Sequence, residues 1–294
     1  MHTAGAQHPP AATQSRPGAG GSVRGLLAAS HALPSIAVTA VITALAVASG
    51  RGPAGSALVA SAVLAGQLSV GWCNDRVDLR RDLATGRGDK PLVAGAVRPR
   101  TVAVTAGCAL ALCVPLSLAN GLAAGTAHLV GVAAAWSYNL GVKRTVLSWL
   151  PYAAAFGLLP AFVTLALPGH PWPAGWVMVA GALLGTGAHV TNVLPDIDGD
   201  LATDVRGLPQ RLGPRGARVL AAVLLLAGAF VLVLGPSGRV GAAGMTSLAL
   251  TGASALAVAS PPRSGPRSRL PFLATLALAA IDVGLLLLRG AALT

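Results

Sequence analysis

The sequence predicts an all-α fold, a membrane bundle of nine transmembrane helices around a central cavity that opens to the cytoplasmic side. Hydrophobic residues make up 54% of the 294 residues and charged residues only 10%, whereas soluble domains carry about 25% charged residues. Apolar runs of about 20 residues, the length that a helix needs to cross the hydrocarbon core, recur along the chain. These observations exclude a disordered chain, a fibrous protein and an ordinary soluble enzyme.

The chain divides into a short tail and a membrane domain. Residues 1–22 are rich in Gly, Ala, Pro, Gln and Ser without apolar periodicity, which predicts a disordered cytoplasmic tail. Residues 23–294 hold the membrane spans. Only Asn120 and Gly121 separate the third span from the fourth. The nine spans are expected near residues 24–48, 54–74, 101–119, 121–138, 147–167, 174–194, 216–235, 240–260 and 270–290.

The basic residues predict the orientation of the bundle, because cytoplasmic loops carry an excess of Lys and Arg. With nine spans, 18 of the 21 basic residues lie on the side of the tail, and only Arg51, Arg239 and Arg289 lie on the other. We therefore expect a multi-pass protein of the cell membrane with a cytoplasmic N-terminus and a C-terminus on the opposite side. The basic residues form no continuous face, so no nucleic-acid partner is predicted.

The nine acidic residues, all Asp, concentrate in two short windows that hold eight of them: Asp75, Asp78, Asp82 and Asp89, then Asp196, Asp198, Asp200 and Asp204. In the first window, at about 100° per residue, Asp75, Asp78 and Asp82 fall within an arc of about 60° on a helix, close to Asn74. The second window repeats a four-residue spacing and traces a stripe of about 120°. The residues on this stripe are Asn192, Asp196, Asp200 and Asp204, and Asp198 points elsewhere on a regular helix.

Carboxylates on one helical face repel each other, and near a membrane they need a cationic partner. Mg²⁺ takes one or two carboxylates together with water and phosphate oxygens. Two facing windows are therefore suited to hold Mg²⁺ around a diphosphate. Nearby basic side chains are candidates for direct contact with phosphate. These are Arg80, Arg81, Arg87, Lys90, Lys143 and Arg206.

Two simpler interpretations of these acidic residues are a helix cap and a calcium-binding loop. A single Asp at a helix end commonly caps the helix, but capping does not account for eight acids in two windows. A calcium loop at residues 196–200 is excluded, because its glycine is misplaced and Gly207 stands where a Glu is required. The three cysteines show no metal-ligand spacing and are expected to be small buried residues.

The first window resembles the Asn-Asp-x-x-Asp-x-x-x-Asp motif of the UbiA superfamily of intramembrane prenyltransferases. Residues 86–92, Gly-Arg-Gly-Asp-Lys-Pro-Leu, are similar to the basic-Pro-Leu stretch that follows this motif in the family. Asp196 and Asp200 resemble the second family motif, Asp-x-x-x-Asp. Tyr138 and Lys143 resemble its Tyr…Lys element. The resemblance identifies residues 23–294 as a UbiA-like transmembrane prenyltransferase domain.

This resemblance implies Mg²⁺-dependent transfer of a prenyl group from an isoprenoid diphosphate to an aromatic or lipid-like hydrophobic acceptor in the bilayer, through an allylic cation. The implied catalytic residues, which also bind the metal, are Asp75, Asp78, Asp82, Asp196 and Asp200. Asp204 is a further implied metal ligand. The implied diphosphate-binding residues are Asn74, Arg80, Arg87, Lys90, Lys143, Asn192 and Arg206. Pro195 departs from the family, which often has a polar or basic residue there.

Two other functions stay open at this point. A membrane terpene cyclase of the same superfamily would ionise the diphosphate without a separate acceptor. A transporter would use intramembrane Asp near the midplane of the bilayer. The two windows instead lie at the cytoplasmic ends of the second and sixth predicted spans, which favours an enzyme.

Four polar residues lie outside the windows. His31 and His189 are expected to be hydrogen-bonded structural residues, with a cavity-lining position as the alternative for His189. Tyr138 is either an anchor at the membrane interface or a cavity residue. Asp282, the single acid outside the windows, is expected to link two helices through a polar contact.

Overall fold

The computed structural model describes residues 19–237, 239–260, 272–275, 277 and 284. In these ranges the chain folds into ten α-helices and contains no strand, which confirms the predicted all-α fold for this part. Most of the ninth predicted span and Asp282 lie outside the described residues. Residues 1–18 of the predicted tail also lie outside them.

The helices follow one another through short connections. Short 3₁₀ turns at Val142–Arg144 and Val146–Trp149 precede α6, and a third at Leu194–Asp196 separates α7 from α8. The first helix begins at Ala19, inside the predicted tail. The helices are α1 (Ala19–Ala29), α2 (Ala32–Ala48), α3 (Pro53–Ala84), α4 (Pro99–Leu118), α5 (Leu122–Leu140), α6 (Leu150–Thr164), α7 (Gly175–Val193), α8 (Ile197–Ala202), α9 (Leu208–Leu234) and α10 (Ala242–Ala259).

Six stretches of the described chain are long and apolar enough to cross a membrane. The bent pair of α1 and α2, which meet at 64°, makes a seventh if it counts as one span. Helix α5 is not among them, and it carries the polar residues His128, Ser137 and Asn139. The described residues therefore form a multi-pass bundle with fewer such spans than the nine predicted. The six are Pro53–Ala84, Pro99–Leu118, Val146–Thr164, Gly175–Ala202, Leu208–Leu234 and Ala242–Ala259.

Consecutive long helices pack against each other, most extensively α3 with α4, α6 with α7, and α7 with α9. The largest apolar cluster joins α2, α3, α5, α6, α7 and α9 and includes Ile42, Val59, Phe162, Val177 and Leu232. Because α2 also contacts α6 and α3 contacts α5, the helices enclose a common core. This core fixes the position of α3, which carries the first acidic window.

Helix α3 is longer than a membrane span. It contains 32 residues, and at 1.5 Å per residue it is about 48 Å long. The hydrocarbon core of a bilayer is about 30 Å thick. Several turns of α3 therefore extend beyond the hydrocarbon, and the acidic window occupies its last turns, before Ala84.

The corner between α1 and α2 is held tightly against α3. His31, at the break, has a φ of 53°, a left-handed conformation that is uncommon for residues other than Gly. A Cβ at Gly71 would lie 2.4 Å from the carbonyl oxygen of Ser30, so only Gly permits this close approach. The indole nitrogen of Trp72 donates to the carbonyl oxygen of Leu26 at 2.9 Å. These contacts keep His31 beside the first acidic window.

Replacing Gly71 with Ala is expected to destabilise the protein by about 1–3 kcal/mol, because the new methyl group overlaps backbone atoms that cannot move cheaply. Thermal unfolding in detergent measures this loss. Gly107→Ala is the matched control, since that glycine lies inside α4 with nothing within 4 Å of its added Cβ. The control should be neutral or slightly stabilising, and equal melting temperatures for both variants would contradict the close packing at the corner.

Candidate active site

The first acidic window lies on the inner face of α3. Asp75, Asp78 and Asp82 are 2%, 5% and 2% exposed, respectively, whereas Arg76 and Val77 between them are exposed. The spacing of three and four residues accounts for this, since it returns to the same face of a helix. The expected common face of the three carboxylates is present in the structure.

Asp78 is the most heavily bonded carboxylate of the window. Lys143, from the 3₁₀ turn after α5, donates to its Oδ1. Arg81 Nη2 and Asn74 Nδ2 donate to its Oδ2 at 2.9 and 3.3 Å. Asn74 in turn donates to Asn139 Oδ1 at 3.1 Å, which ties α3 to α5.

Lys143 is a buried cation, only 4% exposed. Burial lowers the pKa of Lys143, and the charge of Asp78 together with its hydrogen bond opposes that effect. A buried charge is strongly unfavourable unless it is paired and hydrogen-bonded. The charged form of Lys143 is therefore stabilised by Asp78.

The second acidic window does not form one regular helix. Pro195 has no amide hydrogen and therefore cannot continue the hydrogen bonding of α7. Accordingly α7 ends at Val193, a 3₁₀ turn follows, and α8 begins at Ile197. Asp200, on α8, is 6% exposed, whereas Asp198 on the same helix is exposed.

Arg81 joins the two windows. Its Nη1 donates to Asp200 Oδ1 at 3.1 Å, and its Nη2 lies 2.9 Å from Asp78 Oδ2 and 3.6 Å from Asp82 Oδ1. Gln210 Nε2, from α9, donates to the other oxygen of Asp200 at 2.8 Å. One guanidinium group therefore lies between three carboxylates from two different helices.

Arg87 makes a second link between the windows, from the loop after α3. Its Nη1 donates to Asp196 Oδ1 at 2.8 Å, and its Nε and Nη2 donate to the two oxygens of Asp89 at 3.1 and 3.3 Å. These hydrogen bonds lower the pKa of Asp89 and raise the pKa of Arg87.

Asp75 is paired with two basic groups. Lys90 Nζ donates to its Oδ1 at 2.7 Å, and His31 Nε2 lies 3.0 Å from the same oxygen. His31 therefore contacts the acidic window, a position that its location in an apolar span did not predict.

The ion pairs of this cluster leave an excess of negative charge. Within the described residues, six carboxylates face four permanently basic side chains, Arg81, Arg87, Lys90 and Lys143. No three or more His, Cys, Asp or Glu side chains in this part of the chain meet as a ready-made metal site. The donor set is all oxygen, and each helix supplies only a few carboxylates. This fits Mg²⁺, which binds one or two carboxylates and completes its shell with phosphate and water.

Four residues expected at the site lie apart from this cluster. Asp204 and Arg206 pair with each other at 3.4 Å on the exposed turn after α8, because α8 ends at Ala202 and cannot carry the stripe further. Asn192 is exposed near the end of α7. Arg80 is also exposed, since it points away from the inner face of α3.

Three polar residues of the cluster were absent from the expected site. Arg81 was expected only as one of several basic residues near the site. Its position three residues after Asp78 on a helix, however, distinguishes it from Arg80. Gln210 and Asn139 carry no sequence signal, because each is a single polar residue that folding brings to the carboxylates. Both are buried, at 4% and 2% exposed.

Aromatic side chains collect next to the cluster. The ring of His189 stacks on Tyr152, with centroids 4.6 Å apart, and meets Tyr138 edge-on at 5.3 Å. His189 is fully buried, and its Nε2 lies 3.3 Å from Ser148 Oγ. Tyr138, which is half-buried, thus packs against both Tyr152 and His189.

Comparison with known proteins connects this geometry to a family. A model of the UbiA prenyltransferase family matches residues 35–287. The bacteriochlorophyll synthase 33 kDa chain of Cereibacter sphaeroides is 33% identical over 182 residues, which cover 55% of this chain and 57% of that protein. The chain thus matches somewhat more than half the length of this relative.

Solved structures share the fold. A UbiA homologue from Archaeoglobus fulgidus, bound to GPP and Mg²⁺, superposes with a TM-score of 0.67 at 17% identity, over 90% of this chain and 98% of that chain. A digeranylgeranylglyceryl phosphate synthase superposes with a TM-score of 0.66 at 15% identity, over 91% and 98%. The helices that carry the two acidic windows lie within the matched region, and the chain belongs to the UbiA prenyltransferase family.

Proposed function

We propose that this protein transfers a prenyl group from an isoprenoid diphosphate to an aromatic or lipid-like hydrophobic acceptor within the membrane. The observation that carries the proposal is the meeting of the two acidic windows, with Arg81 between Asp78 and Asp200. Oxygen ligands for a divalent cation and basic groups for phosphate thereby lie in one cluster, in a chain of a prenyltransferase family.

We propose the following arrangement in the cell membrane. Nine helices cross it, with α5 and the segment near residues 270–290 among them, and the cavity opens to the cytoplasm. The N-terminal tail, residues 1–22, lies in the cytoplasm, and residues 23–294 form the catalytic domain with the C-terminus on the opposite side. The location of 18 of the 21 basic residues supports this orientation.

We propose Mg²⁺ as the cofactor, held by Asp75, Asp78 and Asp82 of the first window and Asp196 and Asp200 of the second. The related protein from Archaeoglobus fulgidus binds GPP together with Mg²⁺. When bound, the metal neutralises charge that develops on the leaving diphosphate. The mutual pairing of Asp204 and Arg206 on the exposed turn leaves both outside this proposed set.

In this proposal the basic residues of the cluster bind the diphosphate. Arg81, Arg87, Lys90 and Lys143 are placed to donate to diphosphate oxygens and to stabilise the charge that grows there as the bond between C1 and oxygen breaks. Asn74, fixed by Asn139, orients a carboxylate or phosphate oxygen. The prenyl tail lies among the helices, the acceptor attacks C1 of the allylic cation, and the acceptor loses a proton.

Purified protein incubated with Mg²⁺, an acceptor panel and geranyl, farnesyl, geranylgeranyl and longer prenyl diphosphates tests this function. The expected result is Mg²⁺-dependent release of diphosphate together with a prenylated acceptor, and removal of Mg²⁺ by a chelator should abolish both. A hydrocarbon product formed without any acceptor would show that the protein is a cyclase and not a transferase. No diphosphate release from any of the substrates would overturn the proposal.

A further inference from the structure

Arg81 occupies the position between the carboxylates of the two windows. Its guanidinium nitrogens lie 2.9 Å from Asp78, 3.1 Å from Asp200 and 3.6 Å from Asp82. The first and third of these acids are on α3 and the second is on α8. Arg81 therefore supplies a positive charge that bridges the acids of α3 and the acid of α8.

These three acids are among the five proposed to bind Mg²⁺. A guanidinium group and a divalent cation repel each other, and Mg²⁺ needs ligand oxygens at about 2.0–2.1 Å in near-octahedral geometry. A metal ion bound to the same carboxylate oxygens would lie close to the guanidinium charge, and the two cations would repel each other. Binding of the metal between the windows is therefore opposed as long as Arg81 keeps these contacts.

A diphosphate offers Arg81 an alternative partner. Guanidinium groups bind phosphate oxygens through paired hydrogen bonds. The Arg81 side chain is 21% exposed and can therefore turn, whereas Lys143 beside it is 4% exposed and packed in the 3₁₀ turn. Of the two basic partners of Asp78, Arg81 is the one that is free to change contacts.

We propose that Arg81 is an internal counter-ion that makes binding of the divalent cation depend on the diphosphate. Without diphosphate, Arg81 neutralises Asp78, Asp82 and Asp200 and keeps metal affinity low. When a diphosphate enters, Arg81 moves to its oxygens and releases the three carboxylates to the metal. This inference rests on the proposed function. It adds that metal and diphosphate strengthen each other's binding.

The charges of the cluster favour such an exchange. Six carboxylates face four permanently basic groups while Arg81 is in place. Withdrawal of Arg81 raises the excess from two negative charges to three, which increases attraction for a divalent cation. By thermodynamic linkage, the diphosphate must raise the affinity for metal by the same factor as the metal raises the affinity for diphosphate.

Titration of the purified protein with Mn²⁺, a paramagnetic substitute for Mg²⁺, tests the inference without substrate or turnover. Electron paramagnetic resonance measures free Mn²⁺ for the wild type, Arg81→Gln, Arg81→Lys and the control Arg76→Gln. Arg76 lies on the same helix but is exposed. We expect Arg81→Gln to bind Mn²⁺ about 5- to 150-fold more tightly than the wild type, the usual range of coupling between sites. Arg81→Lys, which keeps the charge but not the forked contacts, should be intermediate, and Arg76→Gln should match the wild type.

Equal Mn²⁺ affinity in the wild type and Arg81→Gln would overturn the inference. An equal gain in Arg76→Gln would also overturn it, because the effect would then reflect net charge alone. If Arg81→Gln does not fold, Arg81→Lys decides the question, and wild-type affinity in that variant counts against the inference. Turnover of prenyl diphosphate by the wild type is measured separately, so failure of the counter-ion role and failure of the proposed function give different results.

Discussion

Asp200→Asn is expected to reduce prenyl transfer by about 10²- to 10³-fold, the loss typical when one preorganised group that stabilises developing charge is removed. Asp200 connects the second window to the first through Arg81. The amide keeps the size of the side chain, and its oxygen still accepts from Gln210. The substitution therefore removes the charge of a proposed metal ligand while most of the local packing is retained. Initial rates with a saturating prenyl diphosphate and varied Mg²⁺ measure the effect.

Asp198→Asn is the matched control for this experiment. Asp198 lies on the same short helix α8 and is exposed, so its charge should not matter for turnover. The structure thus predicts opposite outcomes for two aspartates that are two residues apart. Comparable losses in both variants would contradict the assignment of Asp200 to the site.

Lys143→Met is expected to destabilise the protein by about 3–5 kcal/mol, because it leaves the carboxylate of Asp78 buried with one of its cations removed. Asp78 is 5% exposed and accepts hydrogen bonds from Lys143 and Arg81. Chemical or thermal unfolding in detergent, followed by circular dichroism, measures the change. Turnover should fall as well, since Lys143 is also a proposed contact of the diphosphate.

A double-mutant cycle measures the interaction between Lys143 and Asp78 separately from their contacts with other residues. Combining Lys143→Met with Asp78→Asn removes both charges, so the double variant should be less destabilised than the sum of the single variants. Arg144→Met, at the exposed neighbouring position, should change stability by less than about 0.5 kcal/mol. Simple additivity in the cycle would show that the two side chains do not depend on each other.

The first acidic window was predictable from the sequence because it lies on an uninterrupted helix. A regular rotation per residue places Asp75, Asp78 and Asp82 together, and the structure buries all three. The second window was predicted with the same arithmetic, but a 3₁₀ turn at Leu194–Asp196 interrupts the α-helix, and α8 ends at Ala202. That is why Asp200 reaches the cluster while Asp204 does not.

Contacts across the bundle could not be read from local spacing. Gln210 reaches Asp200 from α9, and Asn139 reaches Asn74 from α5, so both depend on how the helices pack. The helical fold followed from composition alone, but α5 is too polar to count as a membrane span by itself, because it carries His128, Ser137 and Asn139. Such residues make a buried helix look less like a membrane span.

The length of α3 has a consequence for what happens after the reaction. Its apolar part lies within the thickness of a bilayer, and its acidic last turns extend past it. Under the proposed function, the reaction therefore takes place at the boundary between hydrocarbon and water, and the two products leave into different phases. Diphosphate can leave into water, where it is soluble, while the prenylated hydrophobic acceptor remains dissolved in the hydrocarbon. Physical separation of the products then opposes the reverse reaction without any conformational change of the protein.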